Sequence, residues 1–255
     1  MPIRVPRLSA AFLFVMPTRI VSPIVRFLGV QVHRNARVGF SWIEADQVIL
    51  EAGTRIGHFN FVRLRRLVVK KNAAIGSMNW LVGPYSAMLA ENSEIGARNI
   101  MTRSRFGAEV GPSRLCIGIW SKITAGHRFD LMRSICVGSN SVIAGVGSQF
   151  WTHGYVHVEA DRSRYRVDGG ISIGNNCYVG SACVFNPGVT LVDGVSVGSN
   201  ASISKTLDQP GLYVSQALRH IQRDDADMRS VLVRVEAAHL SETVYTKPVK
   251  KKEFR

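Results

Sequence analysis

An unbroken six-residue period from Ile173 to Ile203 restricts what this chain can fold into more than any other feature. Apolar residues fall at Ile173, Val179, Phe185, Leu191, Val197 and Ile203 without a slip. Glycine follows the apolar marker at Gly174, Gly180 and Gly198. Small or β-branched residues stand four places after successive markers, at Cys177, Cys183, Val189, Val195 and Ala201. A helix repeats about every 3.6 residues and a strand every second residue, so neither alone produces a strict six. Six residues make one short strand and one turn, the unit of a hexapeptide β-helix. The chain is therefore expected to be an all-β solenoid, in which each coil buries its interior only against its neighbours.

The pattern extends upstream with interruptions. It begins near Val32 and Val38 and continues through Leu50, Ile56 and Val62, then Val69, Ile75 and Leu81, then Leu89, Ile95 and Met101. After an irregular stretch from Arg103 to Arg114 it resumes at Ile117, Ile123 and Phe129, followed by Val137, Ile143 and Gln149. The steps from 62 to 69, 81 to 89 and 129 to 137 exceed six, which predicts extra residues bulging at corners. A larger break runs from Phe150 to Gly170. With three hexads to a triangular turn, the register predicts roughly eight coils. The expected organisation is a short apolar and basic cap over 1–29, the β-helix over 30–206 with a loop at 150–170, and a helical segment and basic tail over 207–255. Proline at 2, 6, 17 and 23 divides the cap, leaving room for helix at 8–16 and 18–28. Val231, Val235 and Ala238 suit one face of a C-terminal helix.

The hydrophobic fraction of 46% excludes general disorder. No apolar run approaches the roughly 18 residues of a membrane-spanning helix. The segment Leu8 to Met16 is too short to span, so it either packs on the domain or lies at a membrane surface. The four cysteines form no CxxC pair, which argues against a zinc or redox motif. Cys177 and Cys183 occupy equivalent inward positions and are expected in the core of a protein from a reducing, cytoplasmic setting. The net charge of +14 calls for an anionic partner. No nucleic-acid-binding motif is present, so nucleic acid is not the expected partner. A phosphorylated cofactor or peripheral contact with the anionic inner face of a membrane fits the excess.

Chemistry concentrates in the break before the regular run. Trp151, His153, Tyr155 and His157 fall within seven residues, followed by a polar stretch from Glu159 to Arg166. Long excursions from a solenoid are commonly functional, and Trp151 and Tyr155 are candidates for contact with a substrate. His127, in Gly126-His127-Arg128-Phe129-Asp130, is a second candidate, either touching a substrate or occupying a corner of the ladder. Glu159 and Asp161 lie near His153 in sequence, but no acid that orients it can be singled out.

The runs Val137 to Gly145, Trp151-Thr152-His153-Gly154 and Ile173 to Thr190 resemble the hexapeptide-repeat acyltransferases. The nearest are the sugar O-acetyltransferases, among them the maltose, galactoside and polysaccharide enzymes. The resemblance covers about residues 115 to 221. It implies a left-handed parallel β-helix, a homotrimer, and acetyl-CoA bound in a groove between two subunits. His153 would be the general base that takes a proton from an acceptor sugar hydroxyl or amine for direct attack on the thioester, with no covalent enzyme intermediate. The pantetheine arm would run along Tyr178, Gly180, Ser181 and Ala182 and along Ser199 and Ala201. Lys205 and Arg219 would meet the CoA phosphates, although Ser215 to Arg219 departs from the family's Gly-Asn-Pro-Ala-Lys. No metal is implied. Two other readings are a γ-type carbonic anhydrase-like zinc lyase, for which His127, His153 and His157 are candidate ligands by count, and a non-catalytic hexapeptide scaffold.

Overall fold

In a computed structural model of the protein, the described residues are 6–15, 18–104, 111–160, 162–215, 230, 232–235 and 244–246. The chain divides into two units, Met1–Ser215 and Gln216–Arg255. In the first, the hexad markers become three apolar columns inside a parallel β-solenoid of about nine turns, matching a left-handed β-helix.

One column, on what we term the first face, stacks Val38, Ile56, Ile75, Ile95, Ile123, Ile143, Val179 and Val197 in direct register. The second face stacks Ile43, Val62, Leu81, Met101, Phe129, Phe150, Phe185 and Ile203. The third stacks Val32, Leu50, Val69, Leu89, Ile117, Val137, Ile173 and Leu191. All of these residues are buried, each at about 1.5–3 kcal/mol for a large apolar side chain. Phe129, Phe150 and Phe185 form a continuous stack, with centroids 4.4 and 4.6 Å apart. Glycines after the markers serve close approach rather than unusual torsion. A Cβ on Gly57 would come within 2.8 Å of the Gly76 backbone one coil above.

The corner between first and second faces holds a buried polar column. Ser41, Asn60, Asn79, Asn99, His127 and Ser148 occupy it in successive coils, each two residues before its second-face marker. Asn60 Oδ1 accepts from the backbone N–H and Nδ2 of Asn79, at 2.9 and 3.0 Å. Asn79 Oδ1 does the same for Asn99, at 2.9 and 3.2 Å. Each amide thus cross-links two coils while satisfying polar groups that would otherwise be orphaned.

All but one of the extra residues leave at a different corner, between second and third faces. The spacing there is seven from Val62 to Val69, eight from Leu81 to Leu89 and eight from Phe129 to Val137, but only six from Phe185 to Leu191. In the lowest coils the chain bridges this corner with continuous strands, Trp42–Leu50 and Phe61–Val69, which join the second and third faces into one sheet. Higher up it makes excursions. The break after Phe150 is an antiparallel hairpin, His153–His157 paired with Arg164–Asp168, and not an irregular loop. Its alternating, β-branched and aromatic composition favours that form.

Three expectations are corrected. The inward residue of the sixth second-face strand is Phe150, not Gln149, because the turn through Gly145 and Gly147 carries one extra residue. The solenoid does not end at 206. Leu207 bridges Leu191, and Gly211–Tyr213 adds a ninth strand to the first face beside Val195–Val197. The segment expected to be helical contains the strand Val233–Val235, paired antiparallel with Val244–Thr246 in the second unit. The β-branched Val233 and Val235 lose less side-chain freedom in a strand than in a helix.

The cap forms two helices, α1 (Pro6–Val15) and α2 (Thr18–Phe27). Ala10, Leu13 and Val25 are buried, and α1 packs on the strand Trp42–Leu50. Arg26 donates from Nε to the Val32 carbonyl at 2.7 Å, tying α2 to the first coil. The apolar N-terminal segment is therefore a lid over the open end of the solenoid. Among the described residues, no helix is long and apolar enough to cross a membrane.

Candidate active site

The second corner becomes a site where the coil below the hairpin supplies an acid to the hairpin's first residue. Asp130 follows the inward Phe129 and ends its strand, in register with Thr102 and, one coil lower, Val82. The chain then leaves the next coil at Thr152. Its backbone N–H and Oγ1 both reach Asp130 Oδ2, at 3.1 and 3.0 Å. The same oxygen lies 2.7 Å from Nδ1 of His153. With Asp130 accepting, Nδ1 carries the ring proton and Nε2 keeps its lone pair. The Asp130 side chain is 11% exposed and that of His153 28%, so the acid is sheltered while the imidazole keeps an open edge.

This edge opens on a cavity of about 630 Å³. Its floor is the column Val82, Thr102 and Asp130, and one wall is formed by Arg103, Ser104 and Met132. His153, Tyr155, Arg164 and Arg166 overhang it. Hairpin pairing explains the last set. His153 faces Asp168, Tyr155 faces Arg166 and His157 faces Arg164, so these six side chains share one face of the ribbon. Arg166 is locked to Asp168 by Nη2 donating to Oδ2 at 2.9 Å and by a second contact from Nε to Oδ1. Arg164 stacks over the Tyr155 ring at 5.2 Å, and Tyr155 meets the His153 ring edge-on at 6.0 Å. Buried Arg103 donates to the carbonyls of Pro84 and Gly111, at 3.0 and 2.9 Å.

His127 does not belong to this site. It is 1% exposed within the polar column of the first corner. Its Nδ1 accepts from the Ser148 N–H at 3.1 Å and its Nε2 lies 3.0 Å from Thr124 Oγ1. Burial lowers its pKa to about 4, so the ring is neutral. With both nitrogens engaged it is neither a base nor an available zinc ligand. Among the described residues, no three His, Cys, Asp or Glu side chains cluster to hold a metal ion. His157 is exposed on the hairpin. Trp151 is half-buried outside the cavity, its Nε1 donating to Gln149 Oε1 at 3.2 Å with Arg128 over its ring at 5.9 Å.

The residues matched to a CoA groove lie elsewhere on the chain. Tyr178 points outward from the first face and is 49% exposed. Gly180, Ser181 and Ala182, and Ser199 one coil above, turn the first corner, where Ala182 adopts φ 56°. Ala201 and Lys205 border a cavity of about 180 Å³ at the end of the solenoid. Arg219 lies outside the described residues. Within one chain, then, Tyr155 joins His153 at the second corner, and the candidate donor residues do not.

The acid missed by sequence reasoning is Asp130. It stands one residue after a marker, one coil below the insertion. Superimposing the coils 101–102, 129–130 and 150–151 would have placed it beneath the point where the hairpin departs. Glu159 is exposed on the hairpin turn, and Asp161 lies outside the described residues.

No family model matches the sequence. Among solved structures the chain is similar to the polySia-specific acetyltransferase NeuO, with 16% identity over 76% of this chain and 80% of that one, at a TM-score of 0.43. It is also similar to the polysialic acid O-acetyltransferase OatWY, with 14% identity over 79% and 93% of the two chains, at a TM-score of 0.49. A third is the UDP-N-acetylglucosamine acyltransferase from Campylobacter jejuni, with 10% identity over 70% and 66%, at a TM-score of 0.38. The fold itself rests on the strand register, independently of these likenesses.

Proposed function

We propose that this protein is an acyl-CoA-dependent acyltransferase that moves an acetyl group to a sugar hydroxyl of a polysaccharide or its precursor, in the cytoplasm. The observation that carries the reading is the Asp130–His153 pair, whose open ring edge faces a cavity large enough for a sugar ring.

In this reading His153 Nε2 takes the proton of the acceptor hydroxyl as the oxygen attacks the thioester carbonyl. The tetrahedral intermediate collapses, the C–S bond breaks, and the imidazolium returns its proton to the CoA thiolate. Asp130 holds the ring in the productive tautomer and offsets the transient positive charge. The chain needs no covalent nucleophile for this sequence, since holding both substrates together supplies the advantage. The test is acetyl-CoA consumption over a panel of glycans and nucleotide sugars, comparing the wild type with His153→Ala. Equal rates would remove the assignment.

The separation of His153 from the candidate donor residues supports a site shared between copies of the chain, as a homotrimer would provide. Each second corner would face the first face of a neighbour. Mixing a His153→Ala chain with a chain whose donor strand is disrupted at Gly180 would then restore part of the activity that each lacks alone. Failure to recover any activity in mixed oligomers, with both variants folded, would place both halves of the site on one chain.

A further inference from the structure

The cavity beside His153 is cationic in a way that the transfer chemistry does not require. A general base and its carboxylate suffice to move the proton, yet three arginines, Arg103, Arg164 and Arg166, line the same space. The carboxylates on the same surface are already engaged. Asp130 Oδ2 is occupied by His153 and Thr152, and Asp168 by Arg166. Arg103 is directed to backbone carbonyls. Arg164 differs from the other two. Among the described residues, no carboxylate forms an ion pair with it. Its contact is the face of Tyr155, which leaves the guanidinium edge and its N–H donors free to meet a planar anion.

The placement is also specific. Strand pairing puts Arg164 on the same hairpin face as Tyr155 and His153, two residues along from Arg166 and opposite His157. That face presents, in order, a base, an aromatic platform and a guanidinium fork. An aromatic ring offers the apolar face of a sugar ring a stacking surface, and an arginine fork offers two parallel hydrogen bonds to a carboxylate. We propose that the acceptor is an acidic sugar, a carboxylate-bearing residue of a glycan, whose ring lies against Tyr155 and whose carboxylate is gripped by Arg164 while a hydroxyl reaches His153. This rests on the acyl-transfer reading for the word acceptor, but the binding site stands on the hairpin alone.

The experiment separates the two. Binding of carboxylate-bearing oligosaccharides (hexuronic-acid and sialic-acid oligomers) and of neutral maltotetraose to the full-length wild type is measured by calorimetry without any acyl donor. Free CoA is titrated in parallel. The acidic oligomers are expected to bind at least tenfold more tightly than the neutral one. Arg164→Gln should erase that preference, a loss on the order of 10- to 100-fold for a charge-assisted bidentate contact. It should leave the affinity for CoA within about twofold. Arg164→Lys, which keeps the charge and loses the fork, should fall between. Arg55→Gln, an exposed cation on the first face, should change nothing. Each variant is first shown to melt with the wild type. The proposal is overturned if neutral and acidic oligomers bind alike, if Arg164→Gln retains the preference, or if its loss appears in CoA affinity instead. A protein that keeps the acidic preference but transfers no acetyl group would sink the acyl-transfer reading and leave this one standing.

Discussion

The two corners flanking the second face contain the same residue type put to opposite uses. At the first corner His127 is sealed in a column of amides and hydroxyls, both nitrogens spoken for and its pKa lowered by burial. At the second corner His153 is held at one nitrogen by a sheltered carboxylate and open at the other. The difference arises one level down, in where the chain adds length. The first corner keeps nearly constant spacing, so identical positions stack and polar side chains bridge coil to coil. The second corner absorbs the insertions, so side chains there are released from the ladder and can converge on a cavity. Constancy makes a brace, and variation makes a site.

That contrast can be broken most forcefully by His153→Ala. Loss of a general base should reduce transfer on the order of 10²- to 10⁴-fold while leaving the melting temperature unchanged; a similar loss of stability would mean that His153 is a brace too. Asp130→Asn should follow, lowering kcat about 10- to 1,000-fold with little change in acceptor KM, because the ring loses its oriented tautomer. Since Asp130 also anchors Thr152, circular dichroism and melting would show whether the hairpin root survives. An unchanged kcat would demote the carboxylate to a structural peg.

His127 should behave in the reverse sense. His127→Leu leaves the buried Ser148 N–H without its acceptor, while the Thr124 hydroxyl keeps the Ile143 and Gly145 carbonyls. It should cost about 1–3 kcal/mol in denaturant unfolding, with kcat preserved in the folded fraction. His127→Asn restores the residue found at Asn60, Asn79 and Asn99 and should be the gentler change. It also sharpens the comparison through pH. The folded pKa of His127 lies at about 4, below its ordinary 6.5. The unfolded chain therefore takes up the proton first as pH falls, so stability is full above pH 6.5 and declines toward pH 4. Melting curves of wild type and His127→Asn over that window should diverge, the wild type showing the steeper loss. Parallel curves would show that burial of this ring is not what sets acid stability.

Most of the scaffold was legible because one residue in six obeys a strict rule. Every apolar marker read from the sequence is inward-facing, except Gln149, where a single added residue at Gly145–Gly147 shifted the frame to Phe150. The polar column was legible in principle, since Asn60, Asn79, Asn99 and His127 occupy the position four after a marker, the same position as Cys183 and Ala201. Its asparagines are not signalled by the most regular coils, where that position is held by Cys183 and Ala201. His153 and Tyr155 were found through the insertion that carries them. Asp130 was not, because it lies in the preceding coil, and its pairing with His153 depends on the stacking of strands 23 residues apart. Trp151 looked equivalent to Tyr155 by proximity, yet it precedes the hairpin, directly after the inward Phe150, and sits with Gln149 and Arg128 outside the cavity. The Val-rich C-terminal segment carried both helical spacing and β-branched residues, and at Val233–Val235 the second prevailed.

Because every insertion longer than one residue exits and re-enters along one edge, the lengths of these insertions are uncoupled from the pitch of the coil. A relative could shorten, lengthen or exchange the ribbon above Asp130 without retuning any other level of the molecule. Grafting a different hairpin between Thr152 and Gly169 should therefore alter what is grasped while the proton-handling pair beneath it stays in place, which makes this edge the natural point of entry for redesign.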